Sequence, residues 1–225
     1  MMPSFGVISE GPTDFVVLKN LLEGFFRGYE GGTIVNAIQP KASTDPGGWT
    51  LVMRALREQE VRKALQFNDW VVVQIDTDVC EEVGFDVARV TDGNALQVVD
   101  LVEAVRARLL REMGPDDDAA ARTIVAVAVH ELECWILPLL FDRSEAASSA
   151  KLTGCLKAAN DKLVASKAPR LSRADGTGKD PRAYKQATAE FRKRKVLVDA
   201  GTRNESLGLF VAQLEAREAA GAFGA

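Results

Sequence analysis

The chain has 225 residues, 47% hydrophobic and 27% charged, a composition that excludes a disordered or fibrous protein and allows one substantial buried core. No apolar run reaches the ~18 residues that cross a bilayer, and the N-terminus lacks the charged start and apolar stretch of a secretory leader. The net charge of −4 hides an asymmetry: residues 151–225 hold 15 Lys and Arg against 8 Asp and Glu, a net of +7, while residues 1–150 hold 13 against 24, a net of −11.

In chain order, Phe5–Ser9 reads as a short buried strand. From Pro12 the apolar spacing turns helical, with Phe15, Leu18, Leu22, Phe25 and Phe26 on one face and glycines at 28–32 ending the run. A strand is expected at 33–38, a polar loop at 41–48 and a helix at 49–66. Trp70–Ile75 is apolar almost throughout, as a central parallel strand should be. An acidic loop spans 80–93, an amphipathic helix 95–113, and Thr123–Val129 reads as another strand, with helical spacing restarting at Leu132. The order β-α-β-α-β-α-β-α predicts an α/β fold, a mostly parallel sheet with helices on both faces.

After Phe141 the strand signal stops. A small-residue linker at 144–150 and a Gly/Asp/Lys loop at 172–180 separate helix candidates at 150–165, 181–200 and 206–219. We therefore expect an α/β domain over residues 1–145 and a basic helical extension over 146–225 packed on it. The extension's positive charge suits either a polyanionic partner or docking against the acidic front.

Three of the strands end in carboxylates. Glu10 follows the first, Asp76 and Asp78 the third, and Glu131 and Glu133 the fourth. In a parallel α/β sheet that edge is where ligands bind. Two Asp one residue apart at a strand end can turn towards one ion, and hard oxygen ligands suit Mg²⁺ or Mn²⁺. Gly11 lets the backbone approach a phosphate closely. Asp14 sits where it favours the helix dipole, with an outer contact to the site as the alternative. Glu131 is the better candidate to face the site, because helical spacing begins at Leu132 and swings Glu133 into a supporting position. Cys80, Cys134 and Cys155 form no CxxC pair and His130 is the only histidine, which argues against structural zinc and leaves the cytoplasm as the default compartment.

Glu10-Gly11-Pro12-Thr13-Asp14 together with Asp76-Thr77-Asp78 resembles a Toprim domain, and is similar in particular to the segments of OLD-family nucleases. His130-Glu131-Leu132-Glu133-Cys134-Trp135 resembles the motif after the last core strand of small, stand-alone bacterial Toprim-like proteins. The resemblance covers roughly residues 4–142. It implies a Toprim-like fold and Mg²⁺- or Mn²⁺-dependent hydrolysis of a phosphodiester. Glu10, Asp76 and Asp78 would be catalytic, and with Glu131 would hold the metal, supported by Gly11, Asp14 and Glu133. It also implies a nucleic-acid partner, a separate ATPase subunit, and a role against phage or mobile DNA. Arg192-Lys193-Arg194-Lys195 is the densest basic run and the candidate nucleic-acid contact. Lys162 or Lys185 could stabilise developing charge. The competing class is a Toprim-like shell that binds metal or a partner without cutting. A receiver-type signalling domain also uses acidic strand ends, but no phosphoacceptor arrangement with a later Thr and Lys is evident.

Overall fold

A computed structural model describes residues 2–40, 47–143, 154–173 and 178–223. Most of the loop expected at 41–48, and the whole linker at 144–150, lie outside the described residues. Four parallel strands, β1 (Ser4–Ile8), β2 (Ile34–Gln39), β3 (Trp70–Asp76) and β6 (Thr123–Ala128), form one sheet in the order β2-β1-β3-β6. A hairpin of two-residue strands, β4 (Val90–Thr91) and β5 (Asn94–Ala95), decorates the acidic loop. The fold is α/β, as expected.

Strand alternation sorts the core onto the two faces of the sheet. Phe5, Val7, Val72, Ile124 and Ala126 pack with α1 (Pro12–Phe25) and α6 (Glu133–Leu140). Ile8, Val71, Val73, Ile75, Val125 and Val127 pack with α2 (Trp49–Arg57), α3 (Glu60–Ala64) and α4 (Val98–Met113), while the short α5 (Asp117–Ala121) leads into β6. The helix expected over 49–66 is split, because Gln59 adopts a left-handed φ of 60° between α2 and α3.

The remaining helices are α7 (Cys155–Ala165), α8 (Pro181–Ala187), α9 (Arg194–Gly201) and α10 (Glu205–Ala219). Tyr184, Phe191, Leu197, Phe210 and Leu214 join the same buried cluster as Phe5, so this part of the chain shares the first core. α10 covers edge strand β6: Gln213 Nε2 donates to the Val125 carbonyl at 2.9 Å and Arg217 Nη2 to that of Thr123 at 3.1 Å. That cover explains why an edge strand is buried at all six positions.

The expected helix 181–200 is broken into α8, a 3₁₀ turn at Ala189–Arg192, and α9. The cause lies on α1. Gly24 allows such close approach that an added Cβ would stand 1.8 Å from the Phe191 carbonyl oxygen. Buried Asn20, also on α1, donates to Thr188 Oγ1 at 2.7 Å and to the Lys185 carbonyl at 3.2 Å, and accepts from Arg192 Nε at 2.8 Å. Every polar atom of that amide is spent holding the C-terminal helices against α1. This fixes where α8 stands relative to the carboxyl edge of the sheet.

Candidate acidic site

β1 and β3 run side by side, and Glu10, just past β1, is laced to the last residues of β3. Glu10 N–H donates to Gln74 Oε1 at 3.1 Å, Gln74 Nε2 donates to Asp76 Oδ1 at 2.8 Å, and Asp76 N–H donates to Glu10 Oε1 at 2.7 Å. Gln74, a polar residue flanked by Val73 and Ile75 in a strand buried at every position, is therefore the strut between the two carboxylates. The loop before α2 closes in from one side. Gly48 N–H donates to the Glu10 carbonyl at 2.8 Å, and a Cβ on Gly47 would stand 2.6 Å from that same oxygen.

Glu10, Asp14 and Asp76 line one cavity of about 430 Å³, with Gly47 and Gly48 on one wall and Arg173 and Lys179 on another. Asp76 is 7% exposed and Asp14 4%. Burial pushes Glu10 up to about 8, with the charges of Asp14 and Asp78 adding to the rise and the Asp76 N–H opposing it. Burial pushes Asp14 up to about 7, Lys179 opposing and Glu133 reinforcing. Asp76 is driven well above the carboxylate range, first by burial and then by Glu10, Asp14 and Glu133. Neighbouring like charges and poor solvation both favour the protonated forms.

Glu133, the first residue of α6, is fully buried. Its Oε1 receives the Tyr184 hydroxyl and the Lys179 ammonium, the latter at 2.6 Å, and its Oε2 has no hydrogen-bond partner. Burial and the adjacent Glu133 charge hold the Tyr184 phenol above its usual range. Nearby acids, Glu133 foremost, hold the Lys179 ammonium above its own against the effect of burial.

The expected residues are thus partly brought together. Glu10, Gly11, Asp14 and Asp76 meet at the cavity, and Asp14 and Glu133, expected in supporting positions, lie deeper than two of the expected ligands. Asp78 is exposed and does not line the cavity. Its N–H is held by the His130 carbonyl at 2.9 Å, and Thr77 Oγ1 accepts from His130 N–H at 2.8 Å, so the turn after β3 is clamped to the end of β6. Glu131 is half-buried, raised by that burial, and engaged at 2.7 Å by the Leu156 N–H. The basic run is spent on ion pairs: Arg192 with Glu23, Lys193 with Glu190, Arg194 with Glu218. Lys195 is exposed. Lys162 lies over the Phe141 ring and Lys185 is exposed, and neither lines the cavity. Lys179, Tyr184 and Gln74 carry roles the sequence did not assign; only the odd Gln inside β3 signalled itself.

Cys134 and Cys155 form a disulfide between α6 and α7, one residue from Glu133 and from Leu156 respectively, and Cys80 is a buried free thiol. Among the described residues no group of three or more His, Cys, Asp or Glu side chains is arranged to hold a metal ion as it stands, and no helix is long and apolar enough to cross a membrane. Comparison of the chain with protein-family models, curated proteins and solved structures gave no match.

Proposed function

We propose that the chain is a metal-dependent nuclease of the Toprim kind. The observation that supports this best is three carboxylates, Asp14 and Asp76 buried and Glu10 half-buried, lining one cavity at the carboxyl edge of a parallel sheet. Desolvated acids packed this closely are costly without a cation, and the unpartnered Glu133 Oε2 beside them lacks a donor or a positive charge. The donor set is all oxygen, which fits Mg²⁺ or Mn²⁺. Glu10, Asp76 and Asp14 would hold the ion, with Asp78 and Glu131 at its margin.

When bound, such an ion polarises a phosphodiester and makes water acidic enough to attack it at neutral pH. Glu10, which lines the cavity, would accept the proton from attacking water once the cation holds it ionised. Gln74 keeps Glu10 and Asp76 in register. Neutralisation of substrate phosphate falls to Arg173, on the cavity wall, rather than to the paired run 192–195. The role in defence and the ATPase subunit rest on the resemblance alone. The cytoplasmic location rests on the cysteine pattern instead, and the Cys134–Cys155 bond counts against it, because the reducing cytosol keeps most such pairs open.

The second reading is a binding module that holds a metal or a partner without cutting, and the lack of three converged ligands among the described residues favours it. Incubation with labelled DNA and RNA plus Mg²⁺ or Mn²⁺ separates the two. Cleavage by the wild type, lost in Glu10→Ala and Asp76→Ala with the fold intact by circular dichroism, is the expected result. Equal nucleic-acid binding by all three proteins with no cleavage by any would overturn the enzyme.

A further inference from the structure

We propose that Lys179 is a resident cation of the carboxylate cluster, and that a divalent ion enters only by displacing its ammonium from Glu133. The inference rests on the metal-binding reading above and concerns how that site is regulated.

The charge inventory is lopsided. Glu10, Asp14, Asp76 and Glu133 crowd the end of the sheet, and Lys179 lines the cavity beside the first three while touching the fourth at 2.6 Å. Arg173, the other basic residue on the cavity wall, is exposed. Lys179 reaches the cluster from outside the sheet domain. It forms a single antiparallel bridge with Ser172, and the next residue, Asp180, donates its N–H to the Leu171 carbonyl at 2.8 Å before capping α8 through Arg182 N–H. The backbone is pinned on both sides of a four-carbon stem, so the ammonium can leave while the chain stays in place.

Two consequences follow from placing a single charge there. The ammonium meets only Oε1 of Glu133, and the orphaned Oε2, fully buried, marks where compensation stops. An ammonium also donates along three flexible directions and draws no close ligand shell, so the acids stay spread around it instead of converging. The absence of three converged ligands among the described residues is then the expected state of a cluster organised on Lys179. A divalent ion in the same cavity would face the Lys179 charge on its wall, and the two cations oppose each other there.

The test is Mn²⁺ binding, by calorimetry and by loss of the free-ion EPR signal, to wild type, Lys179→Met and Lys179→Arg. Lysine acylation read by mass spectrometry on the wild type, with and without Mg²⁺, runs beside it. Lys179→Met should bind Mn²⁺ at least tenfold more tightly than wild type, and Lys179→Arg no more tightly. In the wild type, Mg²⁺ should raise the acylation rate of Lys179 at least severalfold while other lysines stay unchanged. If Lys179→Met binds Mn²⁺ no better than wild type and Lys179 reactivity does not respond to Mg²⁺, the lysine is only a structural partner of Glu133 and the proposal falls. Should Lys179→Met not fold, the acylation experiment decides alone. If neither protein binds Mn²⁺ at millimolar concentration, the metal reading itself fails and takes this inference with it.

Discussion

Glu10→Gln should make the metal-free protein more stable at neutral pH, and the gain should vanish in acid. The unfolded chain ionises this carboxyl near 4.5, the folded chain near 8. Between those values the unfolded state binds fewer protons than the folded one, so folding stability falls as pH rises, and it levels off above the folded value. Each pH unit in the window is worth about 1.4 kcal/mol, so by pH 7 the acid costs the fold up to about 3 kcal/mol. Glutamine removes the titration, yet its amide oxygen can still accept the Asp76 N–H that Glu10 Oε1 now accepts at 2.7 Å. For a chain of this length ~3 kcal/mol corresponds to roughly 6–12 °C in melting temperature. The assay is thermal melting of both proteins by circular dichroism in a chelator, from pH 4.5 to 8.5. The curves should coincide at the acid end and separate steadily, wild type falling below the variant. Added Mn²⁺ should then raise the wild type and leave the variant behind, because binding to the folded state alone stabilises it. Parallel pH profiles for the two proteins would refute the reasoning, since they would mean that Glu10 ionises in the fold as it does in water.

Gly24→Ala should cost about 2–3 kcal/mol in urea denaturation, because the new methyl meets the Phe191 carbonyl and backbone cannot rotate aside. Gly28→Ala, with open space around it, serves as the control and should be near neutral, and equal stability of the two variants would overturn the close packing of α1 on the 3₁₀ turn. The Cys134–Cys155 bond closes a loop over a separation of 21 residues and should contribute roughly 3 kcal/mol, seen as a lower melting temperature in Cys134→Ser. Alkylation of the denatured, unreduced chain should modify Cys80 alone; three modified cysteines would show that the bond does not form.

The sheet was legible because its signals are local. β3 and β6 are mostly apolar runs bounded by turn residues, and a helical period follows each strand. The breaks at Gln59 and Thr188 were not legible, since one depends on a single backbone dihedral and the other on how closely α1 approaches. The same limit divides the acids. Glu10 and Asp76 are fixed by strand ends, which sequence spacing can find. Asp78 lies two residues further on, after the chain has left strand geometry, and the turn that exposes it is set by the His130 carbonyl in the bend after β6. Lys179 was beyond reach altogether, being a lysine in a polar loop about a hundred residues downstream of the Asp pair.

The charge asymmetry left two readings open, a polyanionic partner or docking of the basic extension on the acidic front. The contacts show that docking uses part of that charge: Lys179 meets Glu133, and Arg192 meets Glu23 on α1 while hydrogen bonding to Asn20. These pairs span the two halves, so a net of +7 overstates what the extension can offer to a ligand. What it can still offer includes the exposed Lys195 of the basic run and Arg173 on the cavity wall. Among the described residues, Arg173 and Arg182 form no ion pair; the first lines the cavity and the second follows Pro181, which lines it too. The guanidinium of Arg173 on the cavity wall puts a positive charge suited to phosphate beside the carboxylates, which the nuclease proposed above would use and a module that only held a cation would not.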